Sequence, residues 1–108
     1  MAVHLGTFDL LALLALLRLD EESAYGVTIS NAIQEATGKP VALATVYATL
    51  ERLEDRGFVS SRLGESSAQR GGRAKRHFRV TADGVRQVRE AKGALVKMWR
   101  GIRQLQEA

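Results

Sequence analysis

The sequence predicts a mainly α-helical fold with one small β-hairpin, an α+β arrangement. Three stretches carry apolar residues at helical spacing and a fourth is almost uniformly apolar, which indicates four helices. Two short runs that each contain Phe and Val flank a connection rich in Gly and Ser, which is typical of a hairpin. The chain has 108 residues, 45% of them hydrophobic, and an independent domain usually needs on the order of 100 residues. One domain with one core is therefore expected.

The first helix is predicted over Thr7 to Leu19. Leu10 to Leu17 (LLALLALL) is uninterrupted by polar residues, so the helix is apolar nearly all round and is expected in the core or at a subunit contact. Eight apolar residues fall short of the roughly 20 that span a bilayer. No Lys or Arg precedes the run, as one would in a signal peptide. We expect no membrane partner.

The second and third helices carry clear end signals. Ser23 is expected to cap the second helix, and Gly38-Lys39-Pro40 to end it. The third helix is predicted over Leu43 to Arg56, closed by Gly57. Four apolar residues are expected on its buried face and four polar ones on the opposite face: Leu43, Val46, Leu50 and Leu53 against Thr45, Thr49, Arg52 and Arg56.

The hairpin is predicted to pair Phe58 to Leu63 with Lys75 to Val80, through a long flexible tip over residues 64–74, GESSAQRGGRA. Thr81 then caps a last helix that is expected to run almost to the end of the chain.

The last helix contains a heptad pattern, in which two sets of apolar residues recur at intervals of seven, offset by three. The pattern indicates a dimer contact, and packing against the chain's own first helix is the alternative. The last helix makes both contacts if the first and last helices of each subunit form a shared dimer core. The residues expected at the contact are Leu10, Leu13, Leu14, Leu17, Val88, Ala91, Leu95, Met98, Trp99, Ile102 and Leu105.

The positive charge is local. The net charge is +4, but residues 1–38 carry one basic side chain against five acidic ones, so the remainder carries +8. Residues 62–79 hold six Lys or Arg and only Glu65 as an acid, a local charge of +5. A basic run alone is usually a solvated loop, although it also favours an anionic partner.

The order of helix, helix, helix, strand, basic turn, strand and long helix is that of a winged helix-turn-helix. In such a module the third helix enters the major groove, and the hairpin forms a wing along the DNA backbone or in the minor groove. The topology and the local charge together predict binding to double-stranded DNA. Residues 1–80 are assigned to the DNA-binding domain, and residues 81–108 to a dimerisation helix of the same compact unit.

Five motifs of the chain together point to a known family. They are Tyr25-Gly26, Thr45-Val46-Tyr47, Leu50-Glu51-Arg52-Leu53-Glu54, Gly57-Phe58-Val59 and RAKRHFRVTADG at residues 73–84. With these motifs, the chain resembles the PadR-type transcriptional regulators over nearly its whole length. The resemblance implies a repressor that binds a two-fold-symmetric operator and often responds to a small molecule. The single helix after the wing is similar to the short-chain subgroup, whose members are homodimers joined by that helix. Ala48 stands where the family usually has proline, and Phe78 replaces a frequent tyrosine.

The expected DNA contacts lie on the first turns of the third helix and along the wing, since Glu51, Glu54 and Asp55 disfavour phosphate near the later turns. The resemblance favours a backbone contact for the Tyr47 hydroxyl, with simple ring packing as the alternative. His77 is expected to point outward, toward DNA or water, whereas Tyr25 is expected to pack and Gly26 to allow a close approach of the second helix to a neighbour. The candidate contacts are Thr45, Tyr47, Thr49, Arg52, Arg70, Arg73, Lys75, Arg76 and His77.

Trp99, the only tryptophan, flanks the heptad pattern beside Leu95 and Met98. It is expected to pack in the dimer contact. A sharper hypothesis is that Trp99 and its symmetry mate, with Leu95 and Met98, hold a small planar apolar effector.

Other functions find little support in the sequence. The chain contains no Cys and only two His, His4 and His77, without ligand spacing, so no metal site and no cofactor are expected. It shows no nucleophile motif and no phosphate-binding Gly-rich loop, so an enzyme is not expected. The lack of Cys fits a cytoplasmic protein. Two alternatives stay open: a winged-helix protein-interaction module, and a ligand-binding dimer without DNA binding.

Overall fold

The computed structural model describes residues 4–64 and 75–106. It confirms the predicted fold class, four helices and a two-stranded antiparallel hairpin. The predicted wing tip lies outside the described residues, apart from Gly64. The elements are α1 (Thr7–Arg18), a 3₁₀ turn (Glu21–Ser23), α2 (Gly26–Thr37), α3 (Leu43–Asp55), β1 (Val59–Leu63), β2 (Arg76–Val80), α4 (Ala82–Trp99) and a second 3₁₀ turn (Arg103–Leu105).

The core lies where α1, α2 and α3 meet, and the hairpin closes it with Phe58, Val59 and Phe78. The predicted buried face of α3 is confirmed at three positions and wrong at Leu43, which is exposed because it begins the helix at the edge of the core. The largest fully buried side chains are Leu13, Ile29, Val46, Thr49, Leu50 and Leu53.

The start of α2 differs from the prediction, because Ser23 does not cap it. Ser23 ends a 3₁₀ turn, and its hydroxyl donates to the carbonyl of Asp20 over 3.3 Å. The helix begins at Gly26, and the hydroxyl of Thr28 accepts from the backbone N–H of Tyr25 over 3.1 Å. Its predicted end is confirmed, since Gly38 adopts a left-handed φ of 75°, which favours glycine.

The hairpin pairs β1 with β2 from Val59 opposite Val80 to Leu63 opposite Arg76. The segment before α2 lies along the other edge of β2, where the N–H of Phe78 donates to the carbonyl of Ala24 over 2.9 Å and Tyr25 bridges His77. This added edge fixes the base of the wing to the helical core.

The N-terminal cap of α4 is confirmed, since the Thr81 hydroxyl accepts from the N–H of Gly84 over 3.0 Å and donates to the carbonyl of Gly57 over 2.7 Å. The predicted length is wrong, because α4 ends at Trp99 and Gly101 has a left-handed φ of 85°. The last heptad positions, Ile102 and Leu105, therefore lie beyond the helix.

The apolar residues assigned to the dimer contact fall into two groups. Val88 packs against the chain's own core, as the alternative held, and Leu13 is fully buried there, so its assignment to the contact is wrong. Leu10 and Ala91 are half-buried. Seven large apolar residues of this set are exposed: Leu14 and Leu17 on α1, and Leu95, Met98, Trp99, Ile102 and Leu105 on and after α4. Within the described ranges, no helix has the length and hydropathy to cross a membrane.

Candidate nucleic-acid interface

Fewer polar residues of α3 are exposed than the sequence predicted. Thr45 and Tyr47 are exposed, whereas Thr49 is only 1% exposed, so its placement on the polar face is wrong. Position 49 follows Val46 by three residues and precedes Leu53 by four, which places all three side chains on the same side of a helix. The hydroxyl of Thr49 therefore lies in the core and cannot reach DNA in this conformation.

Arg52 of α3 and Arg56, which follows the helix, turn back toward the protein. Arg52 donates to the Thr49 hydroxyl over 3.4 Å and lies 3.7 Å from the carboxylate of Asp9, yet 62% of its side chain stays exposed. Arg56 donates to the backbone carbonyl of His4 over 2.6 Å, and its guanidinium lies 5.2 Å from the ring centre of Phe58. Because most of the Arg52 side chain lies in solvent, its guanidinium is accessible to an anion, although the side chain of its partner Asp9 is only 15% exposed.

Tyr47 lies directly over the first residue of α2. A Cβ built on Gly26 would lie 2.9 Å from Cε1 of the Tyr47 ring and closer still to Cζ and the hydroxyl oxygen. The close approach predicted for Gly26 is thus confirmed, and its neighbour is α3. The ring of Tyr47 packs, as the alternative held, but the residue is 39% exposed. Its hydroxyl is therefore held at the edge between α2 and α3.

The base of the wing is organised around Tyr25. The ammonium of Lys75 lies 4.0 Å from the centre of the Tyr25 ring, a cation–π distance. The ring of His77 meets Tyr25 edge-on at 5.6 Å, and Nδ1 of His77 lies 3.0 Å from the carbonyl oxygen of Glu21. His77 lies on the opposite face of β2 from the buried Phe78, as predicted, but it is half-buried there, because its ring lies against Tyr25 and Glu21 of the segment before α2.

A groove of about 470 Å³ separates the wing base from the helices. Lys75 and Arg76 stand on its wing side, and Tyr47 stands on its helix side. Two cations and a hydroxyl thus border one channel, which is the combination that binds a phosphodiester. The residues around it are Tyr25, Val27, Tyr47, Leu63, Lys75 and Arg76.

Two side-chain hydrogen bonds form a polar relay from Arg76, at this groove, to Glu54 of α3. The sequence did not predict this relay. Arg76 donates through Nη1 to the hydroxyl of Ser61 over 2.9 Å, and Ser61 donates to Oε2 of Glu54 over 2.7 Å. The available signal was strand alternation, since Ser61 is two residues from the buried Val59 and so faces the helices. Glu54 therefore has a positioning role besides disfavouring phosphate.

The remaining wing candidates, Arg70 and Arg73, lie outside the described residues. Two further arginines occupy the other face of the hairpin, where Arg79 donates to the Ser60 hydroxyl over 3.0 Å and Arg62 lies 3.8 Å from a carboxylate oxygen of Glu22. In the parts of the chain that the structure describes, no three His, Asp or Glu side chains lie where they could hold a metal ion.

Three helices followed by a hairpin wing and a long helix define a winged helix-turn-helix protein, a class of DNA-binding transcriptional regulators. The model of the transcriptional regulator PadR-like family matches residues 13–90. The chain therefore belongs to the PadR-like family of transcriptional regulators. No curated protein matches the chain in sequence.

Solved structures of transcriptional regulators share this fold. A PadR family transcriptional regulator from Eggerthella lenta is 26% identical, with a TM-score of 0.72 over 93% of this chain and 81% of that one. A PadR-like transcription factor from Bacteroides fragilis is 24% identical, with a TM-score of 0.73 over 86% and 84%. A transcriptional regulator from Clostridium thermocellum is 23% identical, with a TM-score of 0.70 over 92% of each chain.

Proposed function

We propose that this protein is a homodimeric repressor that binds a two-fold-symmetric operator in double-stranded DNA. The first turn of α3 enters the major groove with Thr45, and the wing follows the phosphate backbone. The observation that carries the proposal is the groove between Tyr47 and the wing base, which Tyr47 lines together with Lys75 and Arg76. Phosphate contacts of this kind fix the orientation of a regulator on DNA.

The set of direct contacts is smaller than the sequence predicted. Thr45, Tyr47, Arg52, Lys75 and Arg76 keep that role, and Arg70 and Arg73 extend it as an expectation for the wing tip. Thr49 is buried and leaves the set. His77 becomes a positioning residue, because it packs on Tyr25, the ring that also carries the ammonium of Lys75.

The dimer is proposed from apolar surface that one chain leaves in water. Leu14 and Leu17 of α1 are exposed, and Leu95, Met98 and Trp99 of α4 are between 57% and 78% exposed. Large exposed apolar side chains grouped on one helix mark an interaction surface. A second copy of the chain covers them in the proposal and places two α3 helices in successive major grooves, roughly 34 Å apart.

Effector control is proposed for the apolar residues near the end of α4. Trp99, Leu95 and Met98 are exposed together near the end of α4, so a planar apolar molecule between two copies would contact all three. Such a molecule changes DNA binding only if it has different affinities for the two dimer geometries.

A mobility-shift titration tests the DNA-binding proposal. The DNA is the segment upstream of the protein's own gene, with nonspecific competitor, and the variant is Lys75→Ala/Arg76→Ala. We expect a discrete shift for the wild type and a loss of at least about tenfold for the variant, because each cation that contacts a phosphate releases counterions on binding.

The matched control is Arg89→Ala/Lys97→Ala, which removes the same charge from exposed positions of α4 and should bind nearly as the wild type does. A wild type that shifts no DNA would favour the protein-interaction module or the ligand-binding dimer. Equal losses in the two double variants would show that net charge, rather than the wing groove, governs binding.

A further inference from the structure

A second groove lies between α1, the end of α2 and the start of α3. Its volume is about 530 Å³, in the size range of small-molecule sites, and it is an open groove rather than an enclosed cavity. It shares no lining residue with the groove at the wing base. Its lining consists of Phe8, Leu11, Ile33, Thr37, Lys39, Pro40, Val41, Ala42 and Thr45.

The walls of this groove are hydrocarbon. Phe8 and Leu11 of α1 and Val41 of the turn are half-buried and pack against the core, and Ile33 of α2 is buried. These side chains come from three parts of the chain, and the carbonyl of Val41 accepts from the Ser30 hydroxyl over 3.0 Å, which fixes the turn to α2. The shape is therefore built into the fold.

The polar groups at the rim determine the charge of the ligand that the groove can bind. The hydroxyl of Thr37 donates to the carbonyl of Ile33 over 2.8 Å and accepts from the N–H of Lys39 over 3.3 Å, so it is already engaged. The ammonium of Lys39 is exposed and forms no ion pair with the described residues. An apolar groove with one available cation, and with the hydroxyl of Thr45 at its rim, is complementary to an apolar molecule that carries one negative charge.

The end of the groove near α3 adds to this preference. Ala42 precedes the helix and has no side-chain oxygen to accept from its first N–H groups. The positive end of the α3 dipole therefore lies at the same rim as Lys39. Sugars, nucleotides and other ligands with many hydroxyls fit poorly, because the hydrocarbon walls would leave their polar groups without partners.

We propose that this groove binds a small alkyl carboxylate. The carboxylate lies at Lys39, and the hydrocarbon chain lies along Phe8, Leu11 and Ile33. This site is separate from the exposed face of α4 around Trp99. Because Thr45 lines the groove, the bound molecule lies against the residue proposed to enter the major groove. Ligand and DNA therefore oppose each other, a consequence that rests on the proposed function and is reciprocal by linkage.

The binding test is a titration of the full chain with hexanoate, octanoate and decanoate below their micelle-forming concentrations, followed by amide NMR shifts. We expect the shifts to cluster in the first half of α1, the end of α2 and the first turn of α3. Affinity should rise about fourfold for each added methylene group, since each buried methylene contributes a similar transfer free energy. Shifts that cluster at Leu95 to Trp99 instead would overturn the proposal.

Two variants separate the charge from the groove. Lys39→Gln should weaken decanoate roughly threefold to fivefold and leave uncharged decanol unchanged, while Lys97→Gln, which removes a charge from α4, should change neither. Leu11→Trp fills the groove and should abolish binding of both ligands, with its circular dichroism and DNA affinity as checks on folding. Undiminished decanoate binding by Leu11→Trp, or equal losses of decanoate and decanol in Lys39→Gln, would overturn the assignment.

The effect of decanoate on DNA affinity is measured in a separate experiment. Decanoate should lower the DNA affinity of the wild type and leave that of Leu11→Trp unchanged. If the wild type binds no DNA at all, the proposed function fails while the NMR titration still decides the groove. If decanoate occupies the groove and DNA affinity does not change, the opposition between the two ligands is wrong.

Discussion

Replacing Gly26 with alanine tests the contact that holds Tyr47 at the edge of the DNA-binding groove. Gly26 is the first residue of α2 and does not have a positive φ, so its backbone tolerates a side chain. The added Cβ nevertheless overlaps the Tyr47 ring, whose Cε1 would lie 2.9 Å away. The backbone of α2 is fixed by the core, so the ring of Tyr47 must move.

The expected magnitudes follow from this geometry. Alanine in a helix gains roughly 0.5–1 kcal/mol over glycine, and the overlap costs roughly 1–3 kcal/mol unless the partly exposed ring rotates away. The free energy of unfolding should therefore fall by no more than about 2.5 kcal/mol. DNA affinity should fall about tenfold, because the displaced Tyr47 hydroxyl loses a bond to a charged phosphate, worth about 1.5 kcal/mol.

A double-mutant cycle with Tyr47→Ala measures the contact itself, by urea unfolding and by fluorescence anisotropy with labelled operator. Without the tyrosine ring, Gly26→Ala should be neutral or stabilising and should leave DNA affinity unchanged. Two residues in contact usually show a coupling energy of at least about 0.5 kcal/mol. Additive effects, together with unchanged DNA affinity in the single Gly26→Ala variant, would refute the placement of Tyr47 over α2.

Three further changes probe other parts of the account. Ser61→Ala should lower the free energy of unfolding by about 1–2 kcal/mol in urea titrations and also weaken DNA binding, since Arg76 and Glu54 both lose their partner; normal DNA affinity would show that the relay does not position Arg76. Thr49→Val should change stability by less than about 1.5 kcal/mol and leave DNA affinity intact, whereas a large affinity loss would return Thr49 to the interface. Met98→Glu should shift the protein toward monomer in sedimentation velocity, because a charge in an apolar contact is costly, and an unchanged sedimentation coefficient would place the dimer contact elsewhere.

The order of the elements was predictable because each has a local signal. The spacing of Val46, Leu50 and Leu53 identified the buried face of α3, and Gly38 and Gly57 marked the ends of two helices. Thr49 was predicted on the polar face of α3 because its side chain carries a hydroxyl. Its spacing from Val46 and Leu53 already indicated that it is buried. Side-chain chemistry is a weaker guide to a helix face than periodicity.

The details of the interface depend on contacts between residues distant in sequence. Tyr25 meets His77 and Lys75 across some fifty positions, and no local pattern indicates that the chain before α2 runs along β2. The cations of the wing were identifiable from composition, but their ordering by Tyr25 and Ser61 was not. Gly101 was a local signal for the end of α4. The heptad spacing of the apolar residues nevertheless predicted a helix that continues almost to the end of the chain.

The salt dependence of DNA binding is the most direct test of the central claim that the groove between Tyr47 and the wing base holds the DNA backbone. Fluorescence anisotropy over a salt series gives the slope of log affinity against log salt concentration for the wild type and for Lys75→Ala/Arg76→Ala. We expect a slope shallower by about 1.8 in the variant, since each lost phosphate contact contributes about 0.9. Equal slopes in the two proteins would show that these cations do not contact phosphate and that the groove does not hold the DNA backbone.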